Sequence, residues 1–169
     1  MPSAATYAHR FQSLRRAYEL VGYTPERDYS YLAVNKTLRL FYREHIKAII
    51  NQLGDVGAAV HQDPITGLLT INEEFTASLV LGRCREHGDG DHRWVIRFDA
   101  SLDPDITIAA RLDTANASIL DYYLFPAIDV VSYCCSLAPE NGIVLDVYRA
   151  KDLSGLFYLA QRTLLAEVA

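Results

Sequence analysis

Hydrophobic and polar positions divide the chain into a first part with helical spacing and a second part with alternating spacing. In residues 1–22 the apolar positions fall on one side of a helix, at Phe11, Leu14, Ala17, Tyr18 and Val21. This spacing predicts a single helix that is capped by Ser3 or Thr6 and ended by Gly22. Residues 24–30 are predicted to form a turn or the start of another helix.

A second amphipathic helix is predicted from Leu32 to Leu53. Its buried arc comprises Leu38, Phe41, Tyr42, His45, Ile46, Ile49 and Leu53. At about 100° per residue, four cations lie within about 80° of one another beside that arc. They are Lys36, Arg39, Arg43 and Lys47. The pattern therefore predicts a helix that buries one face and displays a row of cations.

After the break at residues 54–64 the spacing changes to alternation, which is typical of strands. Strands are predicted at Leu68–Asn72, Thr76–Arg83, Arg93–Asp99 and Ile106–Asp113. In the third of these, Trp94, Ile96 and Phe98 are predicted to face the core. Because the turns between the strands are short, we expect an antiparallel meander in which the last two strands pair through the turn at 101–104.

The C-terminal third has a less regular pattern. Residues 122–125 fit either a strand or a helix, and Pro126 interrupts both. Residues 127–137 are predicted to be helical, residues 143–148 to form a fifth strand, and Asp152 to cap a last helix. The predicted fold class is α+β, with N-terminal helices packed on a mainly antiparallel four- to five-stranded sheet and with C-terminal helices. A basic helical segment (1–53) and a sheet domain (54–169) are expected to form one unit.

Charge is distributed unevenly between the two parts. Residues 1–50 hold 8 Lys and Arg against 4 Asp and Glu, whereas residues 51–169 hold 8 against 17. The first 50 residues also contain 6 of the 11 tyrosines. A basic, aromatic-rich segment is typical of a surface that contacts a polyanion, so DNA is the expected partner. The cations proposed for phosphate contact are Arg10, Arg15 and Arg16 together with the row on the second helix.

The remaining composition excludes several classes of protein. No apolar run is long enough to span a bilayer, and the first residues lack the hydrophobic stretch of a signal peptide, so no membrane partner and a cytoplasmic location are expected. Cys84, Cys134 and Cys135 show no C-x-x-C spacing, and Cys134 and Cys135 are interpreted as buried, reduced thiols on a helix. No phosphate-binding loop, nucleophile elbow or EF-hand sequence is present. No cofactor is therefore expected, apart from Mg²⁺ if the chain is a nuclease.

Charged residues on the third and fourth strands offer a second candidate site. If those strands pair, Asp99, Asp105 and Arg111 share one polar face, with Glu74 close to the same sheet. Carboxylates on adjacent strands are the ligands that Mg²⁺ requires for phosphodiester cleavage. We therefore consider Asp99, Asp105 and Glu74 as metal ligands and all four residues as catalytic candidates. The alternative is a solvated face with cross-strand Arg–Asp pairs.

The opening residues carry a family resemblance. They contain Pro2-Ser3, Thr6-Tyr7, Arg10-Phe11-Gln12-Ser13-Leu14, Ala17 and Gly22. This segment resembles part of a helical DNA-binding unit found in homing-endonuclease-associated repeats and in accessory regions of large serine recombinases, with Gln12 at a position where those units have glycine. The resemblance implies that Thr6, His9, Arg10, Ser13 and Arg16 face DNA. It also implies association with a mobile genetic element or a recombinase.

The rest of the chain more distantly resembles nuclease domains of the PD-(D/E)xK type, through its order of elements and the pair Pro104-Asp105. The acid-x-lysine triplet of that family is missing, so the resemblance implies either that Arg111 stands where a lysine is expected or that catalysis has been lost. Three hypotheses follow. The chain is a non-catalytic DNA-binding module, a metal-dependent endonuclease, or a structural or oligomerisation domain without a ligand. The expected partners besides DNA are a recombinase or a second copy of the chain.

Overall fold

The computed structural model describes residues 3–22, 30–88, 90–99 and 101–162. The helices are α1 (Ala4–Phe11), α2 (Leu14–Leu20), α3 (Ser30–Asp55), α4 (Ile143–Asp146) and α5 (Ser154–Ala160), with a 3-10 turn at Ala127–Asp129. The strands are β1 (Val60–Gln62), β2 (Leu69–Ile71), β3 (Phe75–Gly82), β4 (Cys84–Glu86), β5 (His92–Arg97), β6 (Ile106–Leu112), β7 (Ile119–Pro126), β8 (Cys134–Leu137) and β9 (Arg149–Ala150). The predicted α+β class is confirmed.

The strands form two sheets. The main sheet has six strands in the order β1-β2-β3-β6-β7-β9, and the small sheet has three in the order β4-β5-β8. All pairs are antiparallel except β3 with β6, which is parallel. A parallel pair needs a long connection, and here the chain leaves β3, forms β4 and β5 in the small sheet, and returns at β6. The predicted meander is wrong at this point, because β5 and β6 belong to different sheets.

Strand β6 lies between two hydrophobic cores. On one face, Ile108 and Ala110 pack in a core with Ile46, Ile49 and Leu53 of α3. On the other face, Ala109 packs in a second core that contains Trp94 and Ile96 of β5 and Leu137 of β8. Residues 107–112 are all buried as a result. A strand covered on both faces cannot present the solvated polar face that the alternation of β6 predicted.

The N-terminal helical region differs from the prediction of one continuous helix. The Ser3 side chain accepts a hydrogen bond from the Thr6 backbone N–H, so the predicted cap is confirmed. However, α1 ends at Gln12, whose φ of 66° is left-handed, and α2 begins two residues later. A left-handed residue ends a helix by redirecting the chain. Of the predicted turn at residues 24–30, residues 24–29 lie outside the described part.

The second predicted helix is confirmed as α3, which is longer by two residues at each end. Ile46, Ile49 and Leu53 are buried, as their spacing predicted. The contacts of the chain divide it into two compact units, residues 1–41 and 42–169, and the boundary lies within α3. Within the second unit, Tyr122 of β7 stacks on His45 of α3 and their Oη and Nε2 atoms are 3.1 Å apart.

Two predictions for the C-terminal third are wrong. Residues 127–137 were expected to be helical, but only a 3-10 turn forms at Ala127–Asp129 and the region ends in strand β8. Residues 143–148 were expected to be a strand, but α4 occupies Ile143–Asp146. Residues 122–125, which fitted either state, lie in β7. At the last helix, Asp152 Oδ1 accepts a hydrogen bond from the backbone N–H of Ser154.

None of the described helices combines the length and the apolar character needed to cross a lipid bilayer.

Candidate nucleic-acid interface

The candidate DNA-contacting side chains of α1 and the α1–α2 connection are exposed. Thr6, His9 and Arg10 lie on α1, and Ser13 lies directly after it. Thr6 Oγ1 is 3.1 Å from Ser3 Oγ, so the Thr6 hydroxyl forms a hydrogen bond with the residue that caps α1. Ser13 Oγ accepts a hydrogen bond from the backbone N–H of Arg16 at 3.1 Å and so takes part in the start of α2. Both hydroxyls therefore also have local structural roles.

The arginines of α1 and α2 contact neutral groups. Arg10 lies over the ring of Phe11 at 5.8 Å, and Arg16 donates a hydrogen bond to the Gln12 side chain at 3.0 Å. Neither contact neutralises the guanidinium charge. The side chain of Arg15 lies outside the described part of the structure.

The predicted cation row lies on α3, and all four of its side chains are exposed. Its members are Lys36, Arg39, Arg43 and Lys47. At separations of three and four residues, they follow one side of the helix. Within the described residues, none of them forms an ion pair with a carboxylate, and neither does Arg10 or Arg16. The row therefore keeps its positive charge available to a ligand.

The four residues of the candidate nuclease site each have a different partner. Glu74 pairs with Arg162. Asp99 Oδ1 accepts hydrogen bonds from the Ser101 hydroxyl at 2.6 Å and the Ser101 N–H at 3.0 Å. Asp105 Oδ2 accepts from the Thr76 N–H at 2.7 Å and the Thr76 hydroxyl at 2.8 Å. Each carboxylate thus has its own partner: Asp99 within a turn, and Asp105 and Glu74 in residues distant along the chain.

These hydrogen bonds favour the ionised carboxylates. The Ser101 hydroxyl and then its backbone N–H lower the pKa of Asp99 from its ordinary value. The Thr76 hydroxyl and then its backbone N–H do the same for the pKa of Asp105. Donors that stabilise a carboxylate make it a weaker proton acceptor. Neither acid is therefore prepared for general-base chemistry.

The expected grouping of Glu74, Asp99 and Asp105 around Mg²⁺ is wrong. It assumed pairing between β5 and β6, which belong to different sheets. In the part of the chain that the structure describes, no three His, Cys, Asp or Glu residues lie close enough together to hold a metal ion.

Arg111 is also displaced from its predicted role. It is fully buried, and its guanidinium donates to both carboxylate oxygens of Asp121, from Nε at 2.8 Å and from Nη2 at 2.6 Å. A third donor, Nη1, reaches the carbonyl of Ala138 at 2.5 Å. The rings of Trp94 and Tyr123 flank the guanidinium at 4.9 and 5.5 Å. A side chain enclosed in this way cannot reach a phosphate, so the catalytic assignment of Arg111 is wrong.

Sequence reasoning missed the network around Asp121. Arg149 adds a second cation to this carboxylate, with its Nε 2.8 Å from Oδ2. Nearby, Asn141 donates a hydrogen bond to the Tyr123 hydroxyl at 2.8 Å. Residues 119–126 contain one charged residue, Asp121, and no alternation of polar and apolar positions, so no sequence pattern indicated the pairing of Arg111 with Asp121. The network joins three strands of the main sheet and is structural.

A small cavity of about 240 Å³ lies beside Asp99. Its walls include Phe98, Asp99, Asp103, Val131 and Tyr133. Pockets for drug-sized ligands commonly have volumes of about 300–1,000 Å³. This cavity is therefore smaller than such a site.

Comparisons with known proteins add no family: no family model matches the chain, and no curated protein or solved structure resembles it significantly.

Proposed function

We propose that this chain is a non-catalytic DNA-binding module whose contact surface lies on its N-terminal helices. The observation that carries the proposal is the state of the cations on α1, α2 and α3. Arg10, Arg16, Lys36, Arg39, Arg43 and Lys47 are exposed, and none of them is paired with a described carboxylate. Unpaired cations at helical spacing are suited to the phosphates of a duplex.

Charge favours the helices over the rest of the chain as the DNA-contacting part. Residues 51–169 hold 17 acids against 8 Lys and Arg, so this part of the sequence repels a polyanion. Each lysine or arginine that neutralises a phosphate releases condensed counterions, which makes binding strongly dependent on salt. We therefore expect binding of moderate affinity that weakens steeply as salt rises.

Three further points belong to this proposal. The absence of catalysis is supported by the separate hydrogen-bond and ion-pair partners of Asp99, Asp105 and Glu74 and by the burial of Arg111. Association with a mobile genetic element or a recombinase is supported by the resemblance of residues 2–22. A cytoplasmic location is proposed for the same DNA-binding module.

The test is fluorescence anisotropy with a labelled duplex at several salt concentrations. The informative variant is R39A/R43A, because these residues are four apart on α3 and their removal relieves like-charge repulsion within the helix. We expect about a tenfold loss of affinity per arginine and a decrease of roughly 2 in the slope of log K against log salt.

The matched control is R85A/R97A, which removes the same charge from exposed positions on β4 and β5. We expect this control to bind DNA as the unchanged chain does. If the two double variants lose affinity equally, net charge rather than the α3 row is responsible. If the unchanged chain does not bind DNA even at low salt, the proposal is wrong.

A further inference from the structure

The outer edge of β8 carries backbone groups that point away from the small sheet. The Phe98 N–H donates to the Tyr133 carbonyl at 2.9 Å, and the register continues as Ile96 with Cys135 and Trp94 with Leu137. In an antiparallel ladder, alternate residues turn their N–H and C=O groups to opposite sides. The groups of Cys134 and Ser136 therefore point outward, where no described strand pairs with them.

At two other edge positions of the small sheet, the side-chain amide of an asparagine forms hydrogen bonds with the backbone N–H and C=O groups. Asn141 accepts from the Ala138 N–H at 2.8 Å and donates to the Ala138 carbonyl at 3.1 Å. On the opposite edge of the same sheet, Asn116 bonds the N–H and carbonyl of Cys84 at 2.7 and 3.2 Å. By contrast, the Cys134 N–H has one hydrogen-bond partner among the described residues, Ser132 Oγ at 3.5 Å. The open part of the edge is thus the short segment 134–136.

This segment also lacks the charges that normally protect an edge strand. Residues 130–139 form the longest stretch of the chain without Asp, Glu, Lys or Arg. Edge strands usually carry charged side chains that prevent pairing with another strand, as Arg85 and Glu86 do in β4. Next to the open segment, Val131 is 96% exposed and Tyr133 is 78% exposed. The edge is therefore both open and apolar.

We propose that β8 pairs antiparallel with β8 of a second copy of this chain, about a two-fold axis at Cys135. Cys134 then lies opposite the partner's Ser136, and each outward N–H and C=O of these two residues finds a partner across the axis. The contact is isologous, as in most homodimers. Two chains that each carry a net charge of −5 repel each other least at an uncharged surface.

The same register brings the two copies of Cys135 together. They form a non-hydrogen-bonded pair, in which Cα atoms are about 4.5 Å apart. Disulfides form at Cα separations of about 4.4–6.8 Å. Cys134, displaced by one residue, faces serine instead. The proposed dimer is non-covalent, but a disulfide between the two Cys135 residues would show that the strands pair in this register.

Oxidation of the full chain with diamide tests this register. Two Cys135 thiols would give up two protons and two electrons to the diamide and form one disulfide. A covalent dimer is expected on a non-reducing gel for the unchanged chain and for C134S, but not for C135S. Circular dichroism checks that each variant is folded. Equal cross-linking through Cys134, or no covalent dimer in the unchanged chain, would overturn the register.

Sedimentation equilibrium without oxidant tests the association itself. Ser136→Lys places a charge at an exposed position of the open edge, opposite Val95 of β5, and we expect it to raise the dimer dissociation constant roughly tenfold or more. Thr114→Lys, in the exposed β6–β7 turn, adds the same charge elsewhere and should leave the constant unchanged. A monomer at all concentrations, or equal effects of the two lysines, would refute the dimer. Because β8 contains none of the proposed DNA contacts, either result is independent of DNA binding.

Discussion

Arg111 and Asp121 face each other across the β6–β7 ladder and are joined by two hydrogen bonds inside the core. Their side chains are 1% and 6% exposed, so neither charge is solvated by bulk water. The pair also has polar contacts with Arg149 and with the carbonyl of Ala138, which lies just beyond β8. The pair thus connects the main sheet to the end of the small sheet.

Replacement of Arg111 by alanine is expected to lower the free energy of unfolding by roughly 3–5 kcal/mol, because it leaves the buried Asp121 carboxylate with its weaker partner. The control is Arg149→Ala, which removes a side chain that is 40% exposed and leaves the Arg111–Asp121 pair intact. We expect that control to lose about 1 kcal/mol or less. Urea denaturation, monitored by circular dichroism, measures the free energy of unfolding of both variants. Equal losses would contradict this expectation and show that the two arginines contribute equally to the neutralisation of Asp121.

Thr76→Val is expected to raise the pKa of Asp105 toward its ordinary value, because it removes the hydroxyl that contributes most to the lowered pKa. A lowered carboxyl pKa adds stability above the unfolded-state pKa, and this stability is lost as pH falls through the folded-state pKa. The stability curves of the two proteins should therefore differ most above about pH 5 and converge in acid. Carbon-13 NMR titration of the carboxyl groups measures the pKa directly.

Ser101→Ala is the matched control for that titration, since it removes the corresponding hydroxyl from Asp99. It should raise the pKa of Asp99 and leave that of Asp105 unchanged. A Thr76→Val protein whose Asp105 titrates as before would show that the backbone N–H alone sets the pKa.

Gly82→Ala is expected to destabilise the protein by about 1–3 kcal/mol, because the added Cβ would lie 2.6 Å from Cδ1 of the buried Ile96. Gly54→Ala is the comparison, since its Cβ would have no atom within 4 Å and Gly54 lies in the last turn of α3. Alanine is favoured over glycine in a helix, so this second variant should gain about 0.5–1 kcal/mol. Thermal unfolding of both proteins measures the difference. A neutral Gly82→Ala would show that Ile96 has room to move.

The helical part of the chain was predicted more accurately than the sheets. Ile46, Ile49 and Leu53 repeat at three- and four-residue spacing, and such local periodicity decides which face of a helix is buried. The break at Gln12 was missed because a left-handed residue other than glycine gives no signal in hydrophobic spacing.

Two features of the candidate acidic site could not be read from alternation. Strand β6 alternates as a half-exposed strand would, with Thr107 and Arg111 on its second face, yet the small sheet covers that face. The hydroxyl donors of Asp99 and Asp105 come from a turn and from another strand. Only the donor of Asp99, Ser101, is close enough in sequence for its contact to be predicted from the local pattern.

The amino-acid sequence by itself determined the α+β class, the long amphipathic helix with its row of cations, and the positions of four strands, because each depends on spacing within a short segment. Only the tertiary structure decided which strands pair, that β5 leaves the main sheet, and that Arg111 is buried against Asp121. Those outcomes depend on contacts between residues far apart in the chain. Periodicity shows that a residue belongs to one face of a strand, but not which other element covers that face.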